Sequence, residues 1–503
     1  MQTTTLITLR KTILTILLLL AYSNVNAQDY GNLPLLEKQK LKGELELLHQ
    51  GLDKFHSGMY WYTPKDSVDI AFRNANDLIK TDLNLLQFHK IVAPLVALSR
   101  EDHTDIKIPK ELLKKIDTIQ QIKFLPFTVV FLGDKLYITR NGSDNSGLEE
   151  NLEITKINGE TPQQVVSKIG TLFASDGYIK SVKYADMEGF SFSRYYYYYY
   201  GTTNEFKLEF KDHSQSMAVQ ALPIVTIQKN VDERAKKSSA RVESDYLQFK
   251  IIDSETAYID IQTFSNSEIK QGSKFKTLKK FLKYSFKIIS DKKIKNLIVD
   301  VSQNSGGNEG NEGLLYSYFG NNYQKYLKVR AKTQKAILDN GIDEPIKLKA
   351  YGLLERLITT KRMKDGSLER KAGMGLGLKA FKKEPENKFN GKTYVLISPV
   401  TYSGGSEFSN MMYSQTKATF IGQETAGGYL GNTSGYSRKL TLPHSKIEIY
   451  IPALQFIMNV KPKLPIGSGV KPHYKVIPTL EQYLKNENAS LIFALKLIND
   501  EVD

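Results

Sequence analysis

Apolar residues recur along this chain in three successive patterns, and each predicts a different kind of structure. From residue 28 to about 120 the spacing is helical. Leu33 to Leu52 mixes charged and apolar positions at that period, and Ser67 is placed to cap a helix through Ala71, Phe72, Ala75, Leu78 and Ile79. The stretch from Asn84 to Arg100 lines up Leu85, Phe88, Ile91, Val92, Leu95 and Leu98 on one face. From 121 to 235 the pattern shortens to strands: Phe127 to Phe131, Lys135 to Thr139, and Leu152 to Ile157 ending in Asn158-Gly159. Pro162 then opens a helix through Val165, Val166 and Ile169, an arrangement that weakly resembles a peptide-binding, PDZ-like module. Tyr195 to Tyr200 reads as an aromatic strand or as a helix packed on both faces, and residues 229 to 245 read as a polar linker.

The third pattern, from 246 to 476, alternates apolar strands with helices and predicts an α/β core with a parallel or mixed sheet. Thr256 to Ile261 is one strand, Lys274 to Ser290 a basic amphipathic helix, and Asn296 to Val301 a fully apolar strand. That strand runs into Ser302-Gln303-Asn304-Ser305-Gly306-Gly307, and the pair of glycines suits either a tight turn or N–H groups aimed at an oxyanion. Thr393 to Ser398 is a further buried strand, followed by Thr401-Tyr402-Ser403-Gly404-Gly405-Ser406. Ser403 therefore falls at a strand-to-helix turn, where a serine is either a helix cap or an exposed nucleophile. Ala418 to Gly422 leads to Glu424-Thr425-Ala426-Gly427-Gly428, and residues 477–503 end the chain as a C-terminal helix.

Composition narrows the function. The chain has 503 residues, enough for two or three domains, and a mean hydropathy of −0.35. Arg10 and Lys11 precede an apolar run from Thr12 to Tyr22, and Val25-Asn26-Ala27 offers a cleavage site, so residues 1–27 read as an export signal. A periplasmic or extracellular location is expected, with no integral membrane segment once the signal is removed. The absence of cysteine excludes disulfides, thiolate metal sites and a cysteine nucleophile. None of the seven histidines lies in a metal-binding helix motif, so neither metal nor cofactor is indicated. Net charge is +15, and the segment 325–392 alone holds 18 Lys+Arg against 8 Asp+Glu, as a basic insertion. It reads as a solvated helical insertion or as a lid that attracts acidic material; nothing suggests a nucleic-acid partner. Inside it, Gly373 to Gly377 follows no strand and reads as a lid loop. Past the helix ending near Arg100, His103 stands between acids, placed either as a general base or as a surface residue.

The order of these pieces resembles the C-terminal processing peptidase, or tail-specific protease, family, which includes tricorn-like members. Tyr258 to Phe264, Asn296 to Gly307, Thr401 to Phe408, Ile421 to Gly428 and Gly469-Val470-Lys471-Pro472 carry the resemblance. His56 to Thr63 and Asp102-His103-Thr104 further resemble secreted Bacteroidetes-type members. The resemblance implies a crotonase/Clp-like ββα core, preceded by an N-terminal helical domain (28–120) and a β-rich region (121–235), acting as a secreted serine endopeptidase on a peptide or protein substrate. It implies Ser403 as nucleophile, His103 as base, and Gly404, Gly306 and Gly307 as oxyanion donors, with Glu424 as the candidate orienting acid. Three positions depart from the family: Gly428 replaces the lysine of serine–lysine members, Ser302 an arginine and His473 an aspartate. The departures leave open an inactive member that binds a peptide or an apolar ligand, and the charge alone would also suit a structural envelope protein.

Overall fold

The computed structural model describes residues 30–235, 245–321, 323–332, 358–375, 377–379 and 385–500. The expected export signal, residues 236–244 of the expected linker, and residues 333–357, 376 and 380–384 of the basic insertion lie outside the described residues. Two compact units are present: Met1–Ala174 with Asp186–Ser239 and Ser437–Pro452, and Ser175–Ala185 with Ala240–Tyr436 and Ala453–Asp503.

The first unit begins with α1 (Lys38–Phe55), α2 (Lys65–Leu78) and α3 (Leu85–Ala97). Leu41, Leu45, Leu48 and Leu52 of α1 pack with Val68, Phe72 and Ala75 of α2 and with Phe88, Ile91, Val92 and Leu95 of α3, the one-face spacing that the sequence shows. Asn84 caps α3 in a reciprocal capping box with Gln87. Helix α2 starts at Lys65, before the expected cap at Ser67, because Pro64 already supplies the turn and its carbonyl accepts the Ser67 N–H at 3.0 Å. Strand β1 (Asp105–Lys107) pairs antiparallel with Glu448 to Tyr450, and α4 (Lys110–Asp117) follows.

An antiparallel sheet then forms from β2 (Phe127–Leu132), β3 (Lys135–Asn141) and β4 (Glu153–Ile157), with β5 (Glu205–Phe210) and β6 (Met217–Gln220) added in that order. Between β4 and β5 lie α5 (Pro162–Ile169) and α6 (Ser191–Tyr200). The tyrosine run is thus a helix, with Tyr196 to Tyr199 buried. The Tyr197 hydroxyl donates to Tyr30 O at 3.0 Å and the Tyr200 hydroxyl to Glu160 at 2.6 Å, so these rings bury area without stranding a polar group. Helix α7 (Ile224–Ala235) occupies the first part of the stretch expected as linker; the apolar positions Ile224 and Ile227 give it a face to bury, Ile227 being 3% exposed.

The second unit opens with β7 (Leu247–Ile251), β8 (Thr256–Ile261), α8 (Leu278–Asp291), β9 (Asn296–Asp300) and α9 (Asn311–Tyr316). The basic insertion contributes β10 (Tyr326–Ala331), β11 (Thr360–Arg362) and β12 (Leu368–Arg370), which form antiparallel pairs, β10 also pairing with Leu454 to Met458. Then come β13 (Lys392–Ile397), α10 (Gly404–Gln415), β14 (Thr419–Gly422), β15 (Tyr474–Lys475) and α11 (Ala489–Asp500). The main sheet has the order β15-β14-β13-β9-β8-β7 and is parallel except for β7. Both faces are covered, which is why its strands read as unbroken apolar runs. Leu297 and Val299 point into one core with Phe281 and Phe286 of α8 and Phe408 and Met412 of α10. Ile298 points to the other, with Ala494 and Ile498 of α11.

Asp260 and Asp300 are register partners on β8 and β9, both buried. Tyr258 and Asn488 donate to Asp300 at 2.9 and 2.7 Å, while Asp260 has Gln262 at 2.8 Å. Burial, and then the Asp300 charge, push the Asp260 carboxyl up from 3.8 to about 7. The neutral form is therefore favoured in the folded state, and stability falls as pH rises from about 4 through 7. Asp260→Asn is expected to flatten that slope and to gain on the order of 1–3 kcal/mol over wild type at pH 8. Denaturant unfolding at pH 5 and pH 8 checks this; equal slopes in the two proteins would disprove it.

Candidate active site

Four loops leave the C-terminal ends of β8, β9, β13 and β14 along one edge of the parallel sheet, where open α/β folds place their ligands. The loop after β13 holds Ser403 at φ 47°, ψ −120°, a conformation that residues with a Cβ rarely adopt. Its neighbours hold it there. Thr401 Oγ1 donates to Val301 O at 2.9 Å, Tyr402 N to Asn304 O at 3.0 Å, and Ser406 Oγ to Thr401 O at 2.8 Å. Glu407 N donates to Ser403 O at 2.9 Å, the first turn of α10. An N-cap serine would sit in extended backbone and accept a helix N–H through its side chain; Ser403 does neither. Neither its backbone nor its side chain is that of a helix-capping serine.

The loop after β9 packs directly on it. Asn304 ties this turn to β8, donating through Nδ2 to Ile261 O at 3.0 Å and accepting the Gly306 N–H at 2.9 Å. A Cβ built on Gly306 would stand 2.7 Å from Ser403 Cβ and 2.9 Å from Gly404 N, so only glycine fits beside the serine. Gly307, at φ 144°, presses as closely on the β8 loop, where a Cβ would meet Ser265 N at 2.2 Å. The Gly306 N–H is committed to Asn304. The N–H groups of Gly307 and Gly404 form no hydrogen bond with another described residue.

The loop after β14 backs this arrangement. Ala426 N donates to Thr401 O at 2.9 Å and Gly427 N to Ser406 Oγ at 3.0 Å. Glu424, the candidate orienting acid, accepts the Gly469 N–H at 3.1 Å; burial pushes its carboxyl up, opposed by Lys471. Gly428 donates its N–H to buried Asp176 at 2.9 Å. The segment 175–185, within the second unit, adds Ile179 and Val182 against Ala426 and Tyr402. Of the other departures, His473 accepts the Phe420 N–H through Nδ1 at 2.9 Å and Ser302 donates its N–H to Asp300 at 2.9 Å, so both serve the sheet.

His103 belongs to the first unit, half-buried in the turn between α3 and β1. The next residue fixes that turn. Thr104 Oγ1 lies 2.6 Å from Nε2 of His56, which is fully buried. Because His56 Nδ1 accepts the Gly58 N–H at 3.1 Å, its proton is on Nε2 and is donated to Thr104.

Sequence reasoning missed a buried charge cluster beside the serine. Lys325, 1% exposed, contacts Glu312, Glu309 and Glu407 at 2.6, 2.8 and 2.9 Å, and Tyr326 donates its hydroxyl to Glu407. Burial pulls the Lys325 ammonium down, but the surrounding carboxylates hold it well above its ordinary value. Burial and the neighbouring Glu407 and Glu309 raise the Glu312 carboxyl despite Lys325. Gly377, from the expected lid loop, lies against this cluster: its carbonyl accepts the Tyr326 N–H at 3.1 Å, and a Cβ on it would meet Tyr326 at 2.7 Å. Only the Glu407 spacing, four residues past Ser403, offered a signal in the sequence.

Residues 255–476 match the family model of peptidase family S41. They form an S41 domain. Its enzyme class is the serine-type peptidase, and the S41 domain contains every candidate residue except His103. In fold, 92% of the chain superposes on 99% of mature CPAF complexed with lactacystin, at TM-score 0.60 and 14% identity. A crystal structure of mature CPAF covers 88% of this chain and 94% of its own, at TM-score 0.56 and 13% identity. At such identities the likeness is one of fold. No curated protein matches the sequence.

Proposed function

We propose that this chain is an exported, tail-specific serine endopeptidase in which Ser403 is the nucleophile and His103 the base. The observation that carries the reading is the Ser403 backbone at φ 47°, ψ −120°, with Gly306 pressed against its side chain. Ser403 Oγ bonds to the carbonyl carbon of the scissile peptide while its proton passes to His103. The tetrahedral oxyanion is held by the N–H groups of Gly404 and Gly307, neither of which is bonded to another described residue. The proton then goes to the departing amine, and a water repeats the sequence to release the acid. His56, through Thr104, sets the turn that presents His103.

The test is labelling by a fluorophosphonate probe, read by intact mass. Wild type is expected to gain one adduct, Ser403→Ala none, and His103→Ala to react roughly 10³–10⁴-fold more slowly. Adduct on Ser403→Ala, or a folded wild type that never reacts, would sink the reading. The second outcome would favour an inactive member that binds a peptide without cutting it. Glu424 lends that alternative some support, since its carboxylate is engaged by Gly469.

A further inference from the structure

We propose that Lys325 is a positioning residue for the Ser403 reaction, a clamp that sets the spacing between the turn carrying Gly307 and the turn carrying Ser403 and Gly404. The inference rests on the reading of Ser403 as nucleophile. Lys325 reaches both turns at once. Glu312, in α9 just after the glycine turn, takes one N–H of Lys325 at 2.6 Å and also accepts the Gly310 N–H at 2.9 and 3.0 Å. Glu407, in the first turn of α10, takes a second at 2.9 Å while its own N–H is bonded to Ser403 O. Glu312 Oε2 stands 3.9 Å from where a Gly404 side chain would begin, so the cluster lies directly behind the oxyanion donors. Without the ammonium between them the two buried carboxylates lose the bridge that joins α9 to α10 and either repel or take up a proton, and in both cases the spacing is no longer held. Loss of that spacing separates Gly307 N–H from Gly404 N–H, and an oxyanion hole works only when both donors meet the same oxygen. The carboxylates left behind would also face the charge that develops on that oxygen. Both effects fall on the transition state and leave the ground state nearly untouched, which is the signature of a positioning residue.

The experiment compares wild type, Lys325→Met, Lys325→Arg and Glu407→Gln. It measures the fluorophosphonate inactivation rate and affinity separately, together with hydrogen exchange of peptides from 302–312 and 402–410. Lys325→Met is expected to lose about 10–100-fold in maximal inactivation rate with affinity within about threefold. Exchange should rise in both turns and stay unchanged in α1 to α3, and Lys325→Arg should recover most of the rate. If Lys325→Met does not fold, Glu407→Gln decides, because it releases one arm of the clamp while keeping an acceptor for Tyr326; a loss of about 3–10-fold in rate is expected. A reactive wild type with no rate change in the variants overturns the clamp and leaves the nucleophile in place. A wild type that does not react overturns the nucleophile instead, and exchange then judges the clamp: unchanged exchange in the two turns rejects it.

Discussion

Gly306→Ala is expected to lower Ser403 labelling by about 10³-fold or more while the chain still folds. The added methyl would stand 2.7 Å from Ser403 Cβ, 2.9 Å from Gly404 N and 3.1 Å from Ser403 Oγ. Contacts under 3 Å have to be relieved, and the atoms that must move are the proposed nucleophile and an oxyanion donor. Neither has slack. On either side, the Tyr402 N–H is bonded to Asn304 O and the Gly405 N–H to Tyr402 O. The glycine also sits at φ 105°, where alanine adds backbone strain, for a total cost on the order of 1–3 kcal/mol. Gly307→Ala provides the contrast. Its methyl would strike the backbone of Phe264 and Ser265 at 2.3 and 2.2 Å, away from the serine. That variant should lose more stability than Gly306→Ala. Labelling rates and thermal melts of the two proteins check the pair, and a Gly306→Ala protein labelled within tenfold of wild type would refute the argument.

Much of this fold was legible because burial on both faces leaves a plain mark. Asn296 to Asp300, Lys392 to Ile397 and Thr419 to Gly422 are apolar runs bounded by turn residues, and each became a strand of the parallel sheet. The turns at Ser403 and at Gly306-Gly307 were legible as well, since glycine pairs following buried strands have few structural uses. What the pattern concealed is held together across long separations. Glu312, Lys325 and Glu407 come from α9, β10's leading edge and α10, and the charge count placed Lys325 in a basic insertion when it is the buried partner of three acids. Segments 175–185 and 437–452 change units with no break in composition, and a linear division into domains cannot register such exchanges. Nothing in the sequence around His56 marks it as a core residue, yet it is fully buried on Thr104. The tyrosine run left helix and strand open, since its aromatic rings suit either; packing on α3 and the neighbouring sheet decided for the helix.

Ser403→Gly is expected to abolish labelling and at the same time to stabilise the protein. At φ 47°, ψ −120° a side chain costs about 1–3 kcal/mol, and glycine removes that cost. Glycine gives back some of the gain through the greater freedom of the unfolded chain, about 0.5–1 kcal/mol, leaving a net increase on the order of 1 kcal/mol. Ser403→Ala keeps the Cβ and the strain, so it should melt close to wild type. The signs discriminate sharply. Were Ser403 a helix cap, alanine would cost about 1 kcal/mol and glycine a few tenths, so both variants would be less stable than wild type. A thermal or denaturant melt of the three proteins, run alongside probe labelling, distinguishes the cases without any substrate in hand. A glycine variant below wild type would mean that no strain is stored at this serine. A glycine variant above it, and unreactive, would mean that the chain maintains an unfavourable backbone for the sake of one hydroxyl, a trade of stability for activity.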